Sequence, residues 1–255
     1  MARMDRSDII ARVKRMAPWA EGRPSPIEGG RDTAQCFLHA FDAQAYGKTR
    51  NRTDGAVLRV SPWVRHGVLS LADLRDHARE QGYGAGPFLQ QLGWRDYFQR
   101  IYRTHPEWIW NNVEDYKTGL THDDYADDLP GDVLQGETGV AAIDGFIAEL
   151  LETGYLHNHT RLYLASYIVH WRRVKWQAGA RWFLAHLLDG DPASNNMSWQ
   201  WVASTSSNKP YYFNLDNLQK FASSTVDTSY NANKPLAGSY EAIRARLFPS
   251  AEGDW

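Results

Sequence analysis

The stretch from about His159 to Trp171 is apolar nearly all round when it is wound as a helix. A helix without a polar face has to be enclosed by other elements, so this stretch predicts a central, buried helix. The segment before it, from Thr138, repeats apolar residues at helical spacing and ends at Gly154, a residue typical of helix C-termini. Alternating strand patterns with hairpin turns are scarce. The sequence therefore predicts an all-α, multi-helical fold.

The N-terminal end of the chain differs from the rest. Residues 6–17 have the pattern of a short amphipathic helix, and Pro and Gly residues crowd the segment that follows, up to Gly30. We therefore expect residues 1–30 to form a helix and a linker, and residues 31–255 to form one helical domain that carries the function.

Further helices are expected along this domain. Asp32 or Thr33 is the expected N-cap of the next helix, and residues 178–188 form another that ends before a polar loop. The tail after Ser204 has a less regular pattern.

Composition limits the possible functions. Cys36 is the only cysteine, which excludes an intramolecular disulfide and any zinc site built from two or more thiolates. No secretory signal and no run of eighteen apolar residues is present, so we expect a cytoplasmic protein without a membrane partner. The net charge is −2, and any binding of nucleic acid has to come from a local patch.

Several familiar motifs can be rejected. Gly47-Lys48-Thr49 lacks the first glycine of a phosphate loop, and residues 82–86 lack the spacing of a dinucleotide fold. Residues 189–200 resemble the start of a calcium loop but lack its glycine and its closing glutamate. His157 and His159 point to different sides of a helix. We therefore expect no metal.

Polar residues are concentrated between residues 138 and 201. Asn158 and Arg161 are three apart, hence on one face of a helix, and Asp189 and Asp191 follow a helix end. Two interpretations fit these side chains. They either bind a polar cofactor, which would offset the free-energy cost of burying them, or serve as helix caps and salt bridges.

A series of motifs runs through this region without a gap. They are Thr138-Gly139, Ile143-Asp144, Thr153 to Asn158, Arg161, Ala165-Ser166, Trp176, Gly179, Phe183, Leu188 to Asp191, Asn195-Asn196 and Trp199-Gln200-Trp201, preceded by Ser61-Pro62, Gly67 to Ser70 and Trp94 to Phe98. Their order and spacing resemble the FAD-binding domain of DNA photolyases and cryptochromes, over roughly residues 46–221. The resemblance weakens in the tail.

The resemblance implies that FAD is bound in a helical cavity. The residues at the family's cofactor-binding positions are Tyr46, Ser61, Phe88, Gln91, Arg95, Asn158, Arg161, Asp189, Asp191 and Asn195. By this resemblance Ser61 contacts a phosphate, while Asp189 and Asp191 bind the flavin edge and the ribose. Asn195 faces the flavin N5 and, being an amide, cannot donate a proton as an acid. The protein places and tunes the cofactor, whose redox chemistry is its own.

The resemblance also implies a chain of tryptophans that passes electrons towards the flavin. Trp199 and Trp176 match its two inner members, whereas the outer position falls on Asp123, which cannot be oxidised in this way. Tyr125, or a differently placed Trp171 or Trp182, could replace the outer member.

Two further tryptophans match the walls of the family's substrate pocket. By resemblance, Trp94 and Trp201 sandwich a pyrimidine dimer flipped out of UV-damaged DNA, and Gln91 contacts it. A set of arginines either contacts phosphates around this pocket or forms an ordinary solvated face. They are Arg59, Arg65, Arg95, Arg100, Arg103, Arg161, Arg172 and Arg173.

The chain departs from the family pattern at three places. Val57 and Leu58 replace a Thr-Ser pair at the phosphate site, a loss for which Tyr46, Arg50 and Arg52 could compensate. Gln91 replaces a glutamate that helps to split the dimer. The antenna-binding α/β domain has no counterpart in the sequence, so we expect no antenna chromophore.

Three functions remain open. The first is a light-driven lyase in which reduced flavin gives an electron to a pyrimidine dimer in DNA. The second is a cryptochrome-like blue-light or redox signalling protein without repair activity, in which residues 206–255 respond to the flavin. The third is a flavoprotein without photochemistry, or an inert relic.

Overall fold

A computed structural model describes residues 5–19 and 22–251. Within them the chain is helical and contains no strand beyond one isolated parallel bridge, so the all-α prediction is confirmed. The α-helices are α1 (Arg6–Met16), α2 (Arg31–His39), α3 (Ala43–Thr49), α4 (Ser61–Arg65), α5 (Leu71–Glu80), α6 (Gly86–Thr104), α7 (Gly131–Gln135), α8 (Ala141–Thr153), α9 (Asn158–Ser166), α10 (Trp176–His186), α11 (Pro192–Ala203), α12 (Leu215–Ala222) and α13 (Tyr240–Leu247).

Helix α9 is the central element. Its apolar residues, together with those of a single π-helical turn over Tyr167–Trp171 that continues it, are almost entirely buried. The N–H of Arg172 donates to the carbonyl of Tyr167, which closes the wide turn. The predicted buried helix is thus confirmed, with a wider last turn than a regular α-helix has.

Helix α8 packs against α9 through its apolar face. It ends at Gly154 as predicted, because this residue has the left-handed φ of 68° that glycine adopts without strain. The predicted start at Thr138 is wrong. The Asp144 carboxylate accepts from the N–H groups of Thr138 and Gly139, which holds both residues in a turn before the helix.

Apolar side chains form two large buried clusters. The main core joins α8, α9, α10, α11 and α12, and a second core lies among α2, α3, α5 and the start of α6. Helix α6 also packs against α11 and thereby connects the two. The candidate site lies along this junction.

The predicted boundary at residue 30 stays a prediction. Residues 1–4, 20 and 21 lie outside the described residues, whereas Ser25 is tied to the body by its hydroxyl, which donates to the carbonyl of Thr153 at 2.6 Å. Neither Asp32 nor Thr33 caps α2, because the helix already begins at Arg31.

The tail is more regular than predicted. Helix α12 inserts Leu215, Leu218 and Ala222 into the main core, and α13 packs through Ile243 and Leu247 onto a small separate cluster. Residues 252–255 of the tail lie outside the described part of the chain. Among the described helices none combines the length and the apolar character that a membrane span requires.

Candidate functional site

Helices α6, α9, α10 and α11 and the loop between α10 and α11 enclose a cavity of about 120 Å³, here called the inner cavity. Six of the residues predicted to bind the cofactor line it, together with Trp199. These six are Arg95, Asn158, Arg161, Asp189, Asp191 and Asn195. The predicted grouping of polar side chains from three separate segments is therefore present.

Arg161 and Asp189 form an ion pair inside this cavity. The Arg161 Nη2 lies 2.9 Å from the Asp189 Oδ2, and the Arg161 Nε donates to the carbonyl of Leu156. Burial alone would raise the pKa of Asp189, but the charge and hydrogen bond of Arg161 outweigh it and lower the pKa. The carboxylate is therefore ionised at neutral pH.

The second oxygen of Asp189 is left unsatisfied. Its Oδ1 is buried without a hydrogen bond of normal geometry to a described residue, although the Ser61 hydroxyl lies close enough to help lower the pKa of the carboxyl group. Because an unsatisfied buried oxygen of an ionised carboxylate is costly, this atom has the capacity to accept a further N–H or O–H group.

Asp191 is fixed by neighbours in the protein. It caps α11 by accepting from the Ser194 N–H and hydroxyl, and Gln99 donates to both its oxygens at 2.7 and 2.8 Å. The interpretation as helix caps and salt bridges thus describes contacts that these carboxylates make, and both also line a cavity, whereas their binding of a cofactor stays a prediction. The sequence analysis missed Gln99, although it lies four residues after Arg95 on the same face of α6.

Asn195 has a fixed amide. Its Nδ2 donates to the carbonyl of Ala180 at 3.1 Å and to the Oδ1 of Asn196 at 2.9 Å. With both donors engaged, the Oδ1 of Asn195 is the side-chain atom left for a ligand in the inner cavity.

A second space, here called the side cavity, opens between the two cores with a volume of about 180 Å³. The predicted residues Tyr46, Ser61 and Phe88 line it, and the Tyr46 and Phe88 rings meet edge to face at 5.3 Å. Val57 and Leu58 give it an apolar wall where the family pattern has hydroxyls.

Of the arginines expected to compensate for those hydroxyls, Arg52 pairs with Asp54 at 3.0 Å, with both side chains well exposed. Arg59 lies nearer. It lines the side cavity, and its guanidinium lies 5.9 Å from the centre of the Tyr155 ring. Its backbone has a φ of 55°, a left-handed conformation that is uncommon for a residue with a side chain.

His157 lines the side cavity and immediately precedes α9. Its Nδ1 accepts from the N–H of His159 and so caps α9, while its buried Nε2 has no partner among the described residues. Burial lowers the pKa of His157 to about 4, and the ring is neutral at physiological pH.

A third space, here called the outer pocket, is open to solvent and has a volume of about 400 Å³. Trp94 and Trp201 line it with 48% and 44% of their surfaces exposed, which is far more than a core tryptophan retains. Gln91 lines it as well, so all three residues predicted to contact the substrate meet here. No carboxylate is among its lining residues.

Arg95 and Asn158 line all three spaces. Ser194 and Ser198 additionally line both the inner cavity and the outer pocket. The three spaces are therefore neighbours with common walls, and a ligand in the inner cavity lies next to any ligand in the outer pocket.

Two of the predicted electron-transfer residues lie in the wall behind the inner cavity. Trp199 lines the cavity and packs against Gly179, where a Cβ would lie 2.2 Å from its ring. Trp176 begins α10 one turn before Gly179, is completely buried and donates from Nε1 to the Oδ1 of Asn112 at 2.7 Å.

Trp110 continues this row to the surface. Its ring is parallel to that of Trp176, with centroids 6.5 Å apart and planes 5° apart, and 36% of it is exposed. The Arg181 guanidinium lies 5.0 Å from its centre. Tyr125, one of the predicted replacements, is buried against Tyr116 instead.

Trp110 was missed because it reaches Trp176 through contacts distant in sequence. The buried Asn196 and Gln200 of α11 donate to the carbonyls of Ile109 and Trp108 and thereby hold the loop that carries Trp110. The Asn-Asn pair and the Trp-Gln-Trp triplet mark these anchors in the sequence but do not identify what they hold.

Most of the arginines considered as phosphate contacts have partners within the protein. Arg100 pairs with Asp96, Arg172 with Asp132, and Arg65 donates to the carbonyl of Gly190. Among these arginines, Arg95 lines the outer pocket.

Comparison with known proteins identifies relatives of this chain. Residues 88–231 match the family described as the FAD binding domain of DNA photolyase. The deoxyribodipyrimidine photo-lyase of Streptomyces griseus is 34% identical over 183 residues, which are 70% of this chain and 39% of that protein. The chain thus spans about two fifths of the length of this relative.

Two solved structures show the same fold. A cryptochrome of Synechocystis superposes with a TM-score of 0.69 at 20% identity, over 91% of this chain and 49% of its own. An archaeal photolyase of Sulfolobus tokodaii, solved with two FAD molecules, superposes with a TM-score of 0.66 at 25% identity, over 92% and 54%.

Proposed function

Since this chain belongs to the family of the FAD-binding domain of DNA photolyase, we propose that it binds FAD in the inner and side cavities and splits pyrimidine dimers in UV-damaged DNA. Splitting is driven by blue light and by an electron from the reduced flavin. The observation that carries this proposal is the shared wall of Arg95 and Asn158 between a polar, buried cavity and a tryptophan-lined pocket.

The residues of the inner cavity fit FAD chemically. The unsatisfied Oδ1 of Asp189 accepts from a flavin N–H or a ribose hydroxyl, and the Oδ1 of Asn195 is available for a second contact. Arg59 and Arg95 provide positive charge for the diphosphate, which offsets the loss of the two hydroxyls at Val57 and Leu58. When bound, FAD supplies a ring that absorbs blue light and exchanges electrons.

The outer pocket holds the flipped dimer. Trp94 and Trp201 provide flat apolar walls for bases removed from the stack, and their exposure before binding is explained by this role. Gln91 donates or accepts a hydrogen bond at a base edge but supplies no proton as an acid.

Trp199, Trp176 and Trp110 form the route by which electrons reach the inner cavity from the surface. Trp176 is sealed from water and its Nε1–H is held by Asn112, whereas Trp110 is exposed to soluble donors. This assigns the outer position, which the family pattern places on Asp123, to Trp110.

The decisive experiment irradiates the reduced protein, loaded with FAD, together with a dimer-containing oligonucleotide. We expect dimers to disappear in light and to persist in the dark, as followed by chromatography. Dimers that persist in the light while the oligonucleotide stays bound would end the proposal.

A second measurement tests the electron route. We expect Trp110→Phe to slow photoreduction of the bound flavin several-fold, followed by absorbance under blue light with a reductant, because phenylalanine is much harder to oxidise. Tyr125→Phe is the matched control and leaves the rate unchanged. Equal slowing in both variants contradicts the assignment of Trp110.

The signalling alternative draws support from the tail. Helix α13 is attached through a small cluster formed by Ile243, Leu247 and Phe248, apart from the main core. Such a helix detaches more easily than α12. Limited proteolysis that differs between dark and light, without loss of dimers, would favour this function.

A further inference from the structure

A groove of about 220 Å³ adjoins the outer pocket. Trp201, Lys209, Pro210, Tyr211, Tyr212 and Tyr240 line it. Trp201 belongs to both spaces, so its indole is the partition between them. We propose that this aromatic groove binds an unpaired nucleotide next to the dimer in the same DNA strand, an inference that rests on the proposed function.

The aromatic rings of the groove form two pairs. The Trp201 and Tyr211 rings lie 5.5 Å apart at 33°, and the Tyr212 and Tyr240 rings lie 5.7 Å apart at 70°. Trp201 and Tyr240 keep 44% and 40% of their surfaces exposed. Large aromatic rings this exposed at both ends of one groove provide flat faces on which a base stacks, as in proteins that bind single strands.

The wall of the groove is fixed before any ligand arrives. The N–H of Tyr211 donates to the carbonyl of Val202, and its carbonyl accepts from the Ser166 hydroxyl at 2.8 Å. The hydroxyl of Ser207 lies 2.8 Å from the carbonyl oxygens of both Trp201 and Lys209 and donates its one proton between them, which fixes the turn that presents Lys209. A preformed wall lowers the entropic cost of binding.

The charge of the groove suits a nucleotide. Lys209 is exposed at its edge, and no carboxylate is among the lining residues. A lysine beside stacking rings provides the phosphate contact that accompanies base stacking on single strands. A strand whose bases occupy the outer pocket continues on both sides of them, and the groove is the aromatic space that adjoins the pocket at Trp201.

The test compares two DNA probes on the FAD-loaded protein by fluorescence anisotropy. One is a dinucleotide that consists of the dimer alone, and the other is a single-stranded oligonucleotide with flanking nucleotides around the same dimer. We expect Tyr240→Ala to weaken binding of the oligonucleotide about tenfold, because a stacking face is lost, and to leave the dinucleotide unaffected. Lys209→Ala should weaken binding of the oligonucleotide several-fold and make that binding less sensitive to salt.

Controls separate stacking from structure. Tyr240→Phe keeps the ring and should retain wild-type affinity. Tyr230 is 60% exposed and lies outside the groove, so Tyr230→Ala should leave the affinity unchanged. Unchanged oligonucleotide binding in both Tyr240→Ala and Lys209→Ala overturns the inference. Equal weakening of both probes also overturns it, since the change would then act through the outer pocket.

An undamaged single strand distinguishes this inference from the proposed function. If the wild-type protein binds damaged and undamaged strands with equal affinity, this result contradicts the proposed dimer site but does not contradict the groove. The groove is then judged by whether Tyr240→Ala weakens binding of the undamaged strand. A wild-type protein that binds neither strand overturns both.

Discussion

The inner cavity and the outer pocket share a wall but are built in opposite ways. In the inner cavity, Asp189, Asp191 and Asn195 are held by hydrogen bonds to protein partners. In the outer pocket, Trp94 and Trp201 project with nearly half of their surfaces exposed. The polar side chains of the cavity thus help to hold the fold together, whereas the two tryptophans of the pocket leave nearly half of their surfaces free. Substitutions should therefore affect stability in the cavity and affinity in the pocket.

The largest effect is expected from Asp189→Ala, which removes a buried carboxylate and leaves Arg161, whose side chain is 24% exposed, without its ion-pair partner. We expect the free energy of unfolding to fall by about 3 kcal/mol, because breaking a buried pair strands a charge. Binding of FAD should be lost at the same time. Urea unfolding and equilibrium dialysis measure the two. Asp132→Ala breaks the more exposed pair with Arg172 and should cost less than about 1 kcal/mol; equal losses would contradict the distinction.

A smaller loss is expected from Gly179→Ala. The new Cβ would lie 2.2 Å from the Trp199 ring, so α10 and α11 have to move apart, at about 2 kcal/mol. Gly93 of α6 is the matched control, since nothing lies within 4 Å of a Cβ there. Gly93→Ala should stabilise the protein by about 0.5–1 kcal/mol through helix propensity. Thermal unfolding measures both variants, and a change in stability of the same sign in the two would refute this difference.

His157 contributes to the pH dependence of stability together with His159, His170 and His186, because burial lowers the pKa of all four imidazoles. The pKa of His157 is lowered by burial to about 4 in the folded protein, so the unfolded chain binds more protons between pH 6.5 and 4. The stability contributed by the neutral ring is present above pH 6.5 and falls with decreasing pH, by at most about 1.4 kcal/mol per pH unit.

Replacement of His157 by asparagine should flatten this slope, because the amide still caps α9 but does not titrate. Urea unfolding at several pH values measures it, and an unchanged slope in His157→Asn would assign the pH dependence to other groups. No carboxylate or imidazole lines the outer pocket, so its affinity for the dimer should not follow the same slope.

The smallest effect on stability is expected from Trp94→Ala. Because its indole is half exposed and the other half packs against Tyr97 and Phe98, the free energy of unfolding should fall by only about 1 kcal/mol. Affinity for the dimer should nevertheless fall about tenfold through the lost stacking face. Trp19→Ala removes a more exposed indole and should leave both properties unchanged. A Trp94→Ala protein that unfolds easily would show that this residue is structural.

Local spacing predicted the parts of the site that lie on one helix. Asn158 and Arg161 share a face of α9, as their spacing indicates, and both line the inner cavity. The tryptophan walls and the cofactor residues came from the resemblance, and the structure brings them together, although their roles stay predictions.

Contacts between distant segments were beyond the reach of the sequence. Trp110 lies beside Trp176 only because Asn196 and Gln200 hold its loop, and no local pattern indicates this. The two tail helices α12 and α13 were missed because they are only eight residues long, too short for a clear periodicity. Tertiary packing rather than propensity stabilises such helices.

The common wall of Arg95 and Asn158 is a route by which occupancy of one compartment can change binding in the other. If a molecule in the inner cavity changes the orientation of these side chains and thereby shifts the affinity for DNA, then DNA shifts the affinity for that molecule by the same factor. A dissociation constant for either one therefore has meaning only when the occupancy of the other is stated.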